Sequence, residues 1–75
     1  MKGNHGNHLY KKLGEKIITE RERKKMTQEE LAASIDMDRT YLARIESGKA
    51  NPSIRVLHKI SRRLRIKIHQ LLTGV

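Results

Sequence analysis

The stretch TQEELAASIDMDRTYLARIESGK, Thr27 to Lys49, carries two helix-start signals in quick succession. Thr27-Gln28-Glu29-Glu30 is a capping box, in which the Thr27 hydroxyl accepts from one orphan amide and Glu30 reaches back to another. Glu29 and Glu30 also suit the positive end of a helix. Asp38 is the second starting cap, and Gly48 offers a left-handed stop. Leu31, Ala32 and Ile35 form the inward row of the first of these helices; Leu42 and Ile45, with Tyr41 beside them, form that of the second. Small Ala32 and Ala33 let the two helices approach closely across the tight SIDMD turn, which is the spacing of a helix-turn-helix. At about 100° per residue, Thr40, Ala43, Arg44 and Ser47 face away from the inward row, with Arg39 on the shoulder of that face.

Outward from this unit the pattern stays helical. Leu9, Leu13 and Ile17 recur at steps of four, and Arg21 continues their row, so a first helix is predicted from Leu9 to Lys24. Residues 1–8, MKGNHGNH, lack periodicity and read as a disordered basic tail; the domain is taken as residues 9–75. Asn51-Pro52-Ser53 breaks the chain and restarts it with Ser53 as cap. The fourth helix is expected to bury Ile54, Leu57, Ile60 and Leu64. Arg65 marks a turn, and a last helix near Lys67 points Ile68, Leu71 and Leu72 inward. There is neither an internal repeat nor strand alternation, so the fold class is all-α, with five helices.

Composition narrows the function. The 75 residues carry 17 Lys and Arg against 8 acids, a formal net charge of +9. Such an excess points to a polyanionic partner. There is no Trp or Phe and there are two Tyr. That argues against a membrane-surface helix, which wants large apolar anchors, and against the aromatic platforms of single-strand binders. Duplex DNA or shaped RNA remains. No Cys is present, so disulfides and thiolate metal sites are excluded, which suits a reducing, cytoplasmic setting. No apolar run approaches the roughly 20 residues of a membrane span, and no secretory h-region is found. His5 and His8 do not make a closed metal site. His58 and His69 sit among basic residues, and no nucleophile–base or paired-carboxylate set exists. An enzyme, a resident cofactor and a bound metal are therefore not expected.

A helix entering the major groove needs one face on the core and another presenting hydrogen-bonding side chains to base edges. Arg39, Thr40 and Arg44 supply these: Arg reads guanine at two acceptors, and the Thr methyl suits a thymine methyl. Tyr41 reads first as a wall of the core, with its hydroxyl available to a phosphate. Arg21 and Glu46 both fall on inward rows. A buried charge requires a partner, so they are expected to form a structural ion pair. The late basic run, Arg62, Arg63, Arg65 and Lys67, reads as a solvated face, with a protein or DNA flanking the site as the alternative.

The combined string Thr27-Gln28-x-x-Leu31-Ala32, Leu42, Ile45-Glu46-x-Gly48-Lys49 and Asn51-Pro52-Ser53 resembles the Cro and phage-repressor (XRE-type) helix-turn-helix family, including small stand-alone regulators such as restriction–modification controllers. The resemblance covers about Leu13 to Leu72. It implies a lambda-repressor-like domain that regulates transcription on double-stranded DNA. By the same resemblance Gln28 grips a phosphate, Ser47, Lys49 and Asn51 touch phosphates from the loop, and positions 39, 40 and 44 read bases. Arg21 matches an Arg that pairs with Glu46. The family usually has Gly where this chain has Lys25, Asp36 and Arg65, which implies left-handed turns built from side-chain-bearing residues.

One recognition helix reads too few base pairs to single out an operator, so a homodimer on a pseudo-palindromic operator is expected. Val56, Ile66, Ile68, Leu72 and Val75 are its candidate interface. RNA polymerase is a candidate protein partner. The alternative reading is an antitoxin, of which many resemble this same fold, that neutralises a protein toxin and autoregulates its operon; structured RNA as a ligand is a weaker third.

Overall fold

A computed structural model describes the chain from residue 4 to residue 73, with side chains from residue 8 onward. Five helices follow in order: α1 (Asn4–Arg23), α2 (Gln28–Ser34), α3 (Arg39–Glu46), α4 (Ile54–Leu64) and α5 (Ile68–Leu72). No strand occurs among the described residues. Helix α1 begins at Asn4, inside the stretch that reads as a tail. No proline interrupts it there, and a nucleated helix gains one bond for each residue it adds. Met1 to Gly3 lie outside the described residues.

The starts of three helices follow their capping chemistry. Thr27 Oγ1 accepts from Glu30 N at 3.0 Å while Glu30 Oε1 accepts from Thr27 N at 2.8 Å. Asp38 Oδ1 accepts from Thr40 N at 3.0 Å, and Ser53 Oγ from Val56 N at 3.1 Å. At α5 the Gln70 side chain performs this task, its Oε1 accepting from Lys67 N at 2.7 Å.

The ends share one device. Lys25, Asp36, Gly48 and Arg65 have φ of 58°, 56°, 79° and 61°. In each case the next residue donates its N–H five positions back: Met26 to Arg21 O, Met37 to Ala32 O, Lys49 to Arg44 O and Ile66 to Ser61 O, at 2.8–3.1 Å. This is the long bond of the Schellman motif. A side chain in the left-handed region costs about 1–2 kcal/mol. Three of the four turns accept that cost, and in those three the following residue, Met26, Met37 or Ile66, is a half-buried hydrophobe packed on the core. Its docking offsets the strain. After Gly48 the chain continues with exposed Lys49, which docks nothing. A Cβ at position 48 would also lie 2.7 Å from the Lys11 Cα, so glycine is required there.

The core consists of Leu13 and Ile17 from α1, Leu31 and Ala32 from α2, Leu42 and Ile45 from α3, Leu57, Ile60 and Leu64 from α4, and Leu71 from α5. Helix α3 packs on α1 and α2, whereas α4 packs on α2 and α5. Gly14, buried in the middle of α1, lets that helix cross the end of α3: a Cβ there would overlap the Glu46 carbonyl and sit 2.6 Å from the Ile45 oxygen. Three expected core positions differ, among them Leu72 at the end of α5, which is 40% exposed. Ile54 is 66% exposed and Leu9 43% exposed. Ile54 is the first residue of α4, about 70° from the centre of the row set by Leu57, Ile60, Ser61 and Leu64. Leu9 lies near the start of α1, two residues before the Lys11 backbone that the Gly48 turn meets. Ser61 takes an inward place instead, its hydroxyl donating to the His58 carbonyl at 3.0 Å.

Candidate nucleic-acid interface

Helix α3 buries Leu42, Ile45 and Glu46 and leaves Arg39, Thr40 and Arg44 exposed. Thr40 and Arg44, one turn apart, sit at the outward pole; Arg39, at the first helical position, stands at the shoulder. Ala43 between them is half-buried and small, so it keeps that face low. Arg44 does not extend freely. Its Nη2 donates to the Lys49 carbonyl at 3.0 Å. A guanidinium carries five N–H donors, so the remaining ones stay available while this bond fixes the arm along the helix. Ser47 turns its hydroxyl back onto the Arg44 carbonyl at 3.2 Å. Tyr41 is half-buried against the core, and Lys49 and Asn51 are exposed on the loop that follows.

What holds this face in place is a knot of three side chains. Arg21 Nε donates to Glu46 Oε2 at 2.8 Å, and Arg21 Nη2 to Glu46 Oε1 at 3.1 Å. Arg21 Nη1 donates to the Met26 carbonyl at 2.7 Å. Gln28 Nε2 completes the set by donating to Glu46 Oε1 at 2.8 Å. The side chains of Arg21 and Glu46 are 11% and 2% exposed. Every fully buried side-chain nitrogen and oxygen among the described residues has a partner. The fork-to-fork geometry is the strong form of such a pair. It joins the end of α1, the start of α2 and the end of α3, so the orientation of the recognition helix is locked by groups on all three.

The family resemblance implies a phosphate contact for Gln28; in the structure its amide closes the knot, with one N–H on Glu46 and the second unused by that bond. No local pattern reveals this contact, because residues 28 and 46 become neighbours only through the turn. Gly14 is the other functional position that periodicity misses. Its signal is a glycine in the middle of an otherwise uninterrupted helical pattern, where it costs about 1 kcal/mol relative to alanine and so implies a close approach.

The expected interface set divides. Val56, Ile66 and Ile68 are half-buried and packed on the core; Ile66 is the docking residue of the Arg65 turn and is occupied in closing α4. Leu72 is 40% exposed. Val75 lies outside the described residues. A groove of about 570 Å³ runs between α1 and α5, lined by Lys16, Glu20, Arg23, Lys24, Ile66 and His69 among others. No cluster of His, Cys, Asp and Glu suited to a metal occurs among the described residues, and no helix there is long and apolar enough to cross a membrane.

Comparison with known proteins agrees with this geometry. A family model described as helix-turn-helix matches residues 17–71. Control protein C.MunI of a Mycoplasma species is 44% identical over 55 residues, covering 73% of this chain and 74% of that one. The ImmF control region 10 kDa protein of Bacillus phage phi105 is 38% identical over 61 residues, covering 81% and 68%. Among solved structures, the restriction-modification controller protein C.AhdI from Aeromonas hydrophila superposes with a TM-score of 0.80 at 31% identity, covering 83% of this chain and 94% of that one. The chain belongs to the XRE-type helix-turn-helix family that includes restriction–modification controllers and phage repressors.

Proposed function

We propose that this protein is a sequence-specific regulator of transcription that binds a pseudo-palindromic duplex operator as a homodimer. The observation that carries the reading is the exposed face of α3, with Arg39, Thr40 and Arg44 presented on a helix fixed by the Arg21–Glu46–Gln28 knot. In the major groove these side chains reach base edges. Lys49, Asn51, the Ser47 hydroxyl once it turns from the Arg44 carbonyl, the Tyr41 hydroxyl and the second amide N–H of Gln28 meet phosphates, which set register and supply much of the affinity. Exposed Leu72 anchors the dimer on α5, with the flanks of Val56 and Ile68 beside it. Occupying the operator then excludes or recruits RNA polymerase in the cytoplasm. The relatives named as control proteins support this reading.

Selection of bound fragments from a random duplex pool tests it. The expected product is an inverted repeat whose half-sites lie about 34–36 Å apart, one helical turn. Enrichment of a single unrepeated half-site by a monomer contradicts the dimer, and no enrichment contradicts the function.

A further inference from the structure

Charge is distributed unevenly along the chain. Residues 27–48, which contain α2 and α3, hold two cations and five acids. Residues 49–75 hold seven Lys and Arg and no Asp or Glu. On α4 the buried row is Leu57, Ile60, Ser61 and Leu64. At about 100° per residue the opposite pole falls on Arg55, Lys59 and Arg62, with Arg63 beside them. All four are exposed, and the ion pairs among the described residues, Arg21–Glu46 and Arg23–Glu20, involve none of them.

This arrangement works against the isolated helix. Arg55–Lys59 and Lys59–Arg63 are like-charged i,i+4 neighbours, which repel. Arg55 stands in a first turn that has no acid, where the positive end of the helix disfavours a cation. Arg62 and Arg63 suit the opposite end and need no further account, but Arg55 and Lys59 have no such local compensation. A polyanion removes the repulsion and the dipole conflict together.

Resting on the function proposed above, we infer that the outward stripe of α4, Arg55–Lys59–Arg62, is a second, sequence-blind surface that takes the phosphate backbone of duplex DNA flanking the operator. The stripe starts two residues after the loop that leaves the recognition helix, Lys49 to Ser53, so its first member stands beside the phosphate-contacting loop. From Arg55 to Lys59 and Arg62 it rises about 10 Å along α4, enough to follow successive phosphates outward from the site. Helix α3 packs on α1 and α2, and α4 on α2 and α5, so the two outward faces are carried by helices that share only α2 as a packing partner. Base reading and flank gripping are thus separable.

The test compares a minimal operator duplex of about 20 base pairs with the same operator extended to about 40 base pairs, each titrated at several salt concentrations. The unsubstituted protein binds the longer duplex more tightly and with a steeper salt dependence. In the variant Arg55→Gln/Lys59→Gln/Arg62→Gln the gain from the flanks disappears and the slope on the long duplex falls by about five units, since each of the two protomers loses three phosphate contacts, while affinity for the short duplex and base preference stay unchanged. A variant with the same charge removed from α1, Lys12→Gln/Lys16→Gln/Arg23→Gln, keeps the flank gain. Retention of the gain by the α4 variant, an equal loss in both variants, or an equal loss on the short duplex each overturns the proposal. Should no preferred site exist, the proposed function fails. The α4 surface is then judged on a 40-base-pair duplex of arbitrary sequence, where the same loss of slope is expected and its absence is decisive.

Discussion

The helix-turn-helix unit, residues 27–48, and the C-terminal third, residues 49–75, differ in what their charges do. In residues 27–48 the acids are structural: Glu30 and Asp38 close caps, Glu29 lies in the first turn of α2, and Glu46 anchors Arg21. They leave the unit that reads DNA with fewer cations than acids. In residues 49–75 no acid occurs, and the ion pairs among the described residues include none of its cations. The difference teaches that orienting a recognition helix and attracting a polyanion are separate tasks. On the reading proposed above they fall to separate stretches of one small domain.

The largest effect expected of a single change breaks the first of these tasks. Arg21→Met leaves Glu46 buried without its partner, and stability is expected to fall by about 3–5 kcal/mol. Urea unfolding of Arg21→Met, Glu46→Gln and the double variant measures this. The double variant is expected to lose less than the two singles combined, since each single strands the other half of the pair. Small, additive losses would mean that the knot does not hold the helix.

Next come Arg39→Ala and Arg44→Ala, each expected to weaken specific binding by about 1–3 kcal/mol and to relax base preference at its own position. Because both side chains are exposed, their thermal melts should match the parent's, which separates reading from folding.

The smallest effect sharpens the picture of the C-terminal third. Arg65→Gly removes the left-handed strain and is expected to raise stability by up to about 1 kcal/mol, partly offset by the freer unfolded chain. Gly48→Ala works in the opposite direction, because its Cβ also meets the Lys11 backbone. Denaturation midpoints of the two variants, compared with the parent, check both signs.

Much of this was legible because it is local. Capping boxes, four-residue apolar steps and a Pro-Ser restart are short-range statements, and the helices follow them. The Arg21–Glu46 pair was also foreseeable, since two charges on inward rows of a small core have few alternatives to each other. What stayed hidden depends on neighbours brought in from afar. Gln28 meets Glu46 only after α2 and α3 fold together. Gly14 shows its purpose only where α1 crosses the end of α3. Ile66, expected at the interface, also docks behind a strained turn, a task no local pattern announces. Ile54 kept its place in the apolar pattern, yet the first residue of a helix has too little structure before it to be covered.

The central claim is that sequence choice resides on α3 while residues 49–75 grip without reading. Base-preference profiles of the parent, Arg44→Ala and the Arg55→Gln/Lys59→Gln/Arg62→Gln variant, all selected from one random duplex pool, test it most directly. The account predicts that Arg44→Ala loses preference at one position in each half-site, whereas the α4 variant selects the parent's sequence with a shallower salt dependence. An unchanged profile in Arg44→Ala, or an altered one in the α4 variant, would contradict it.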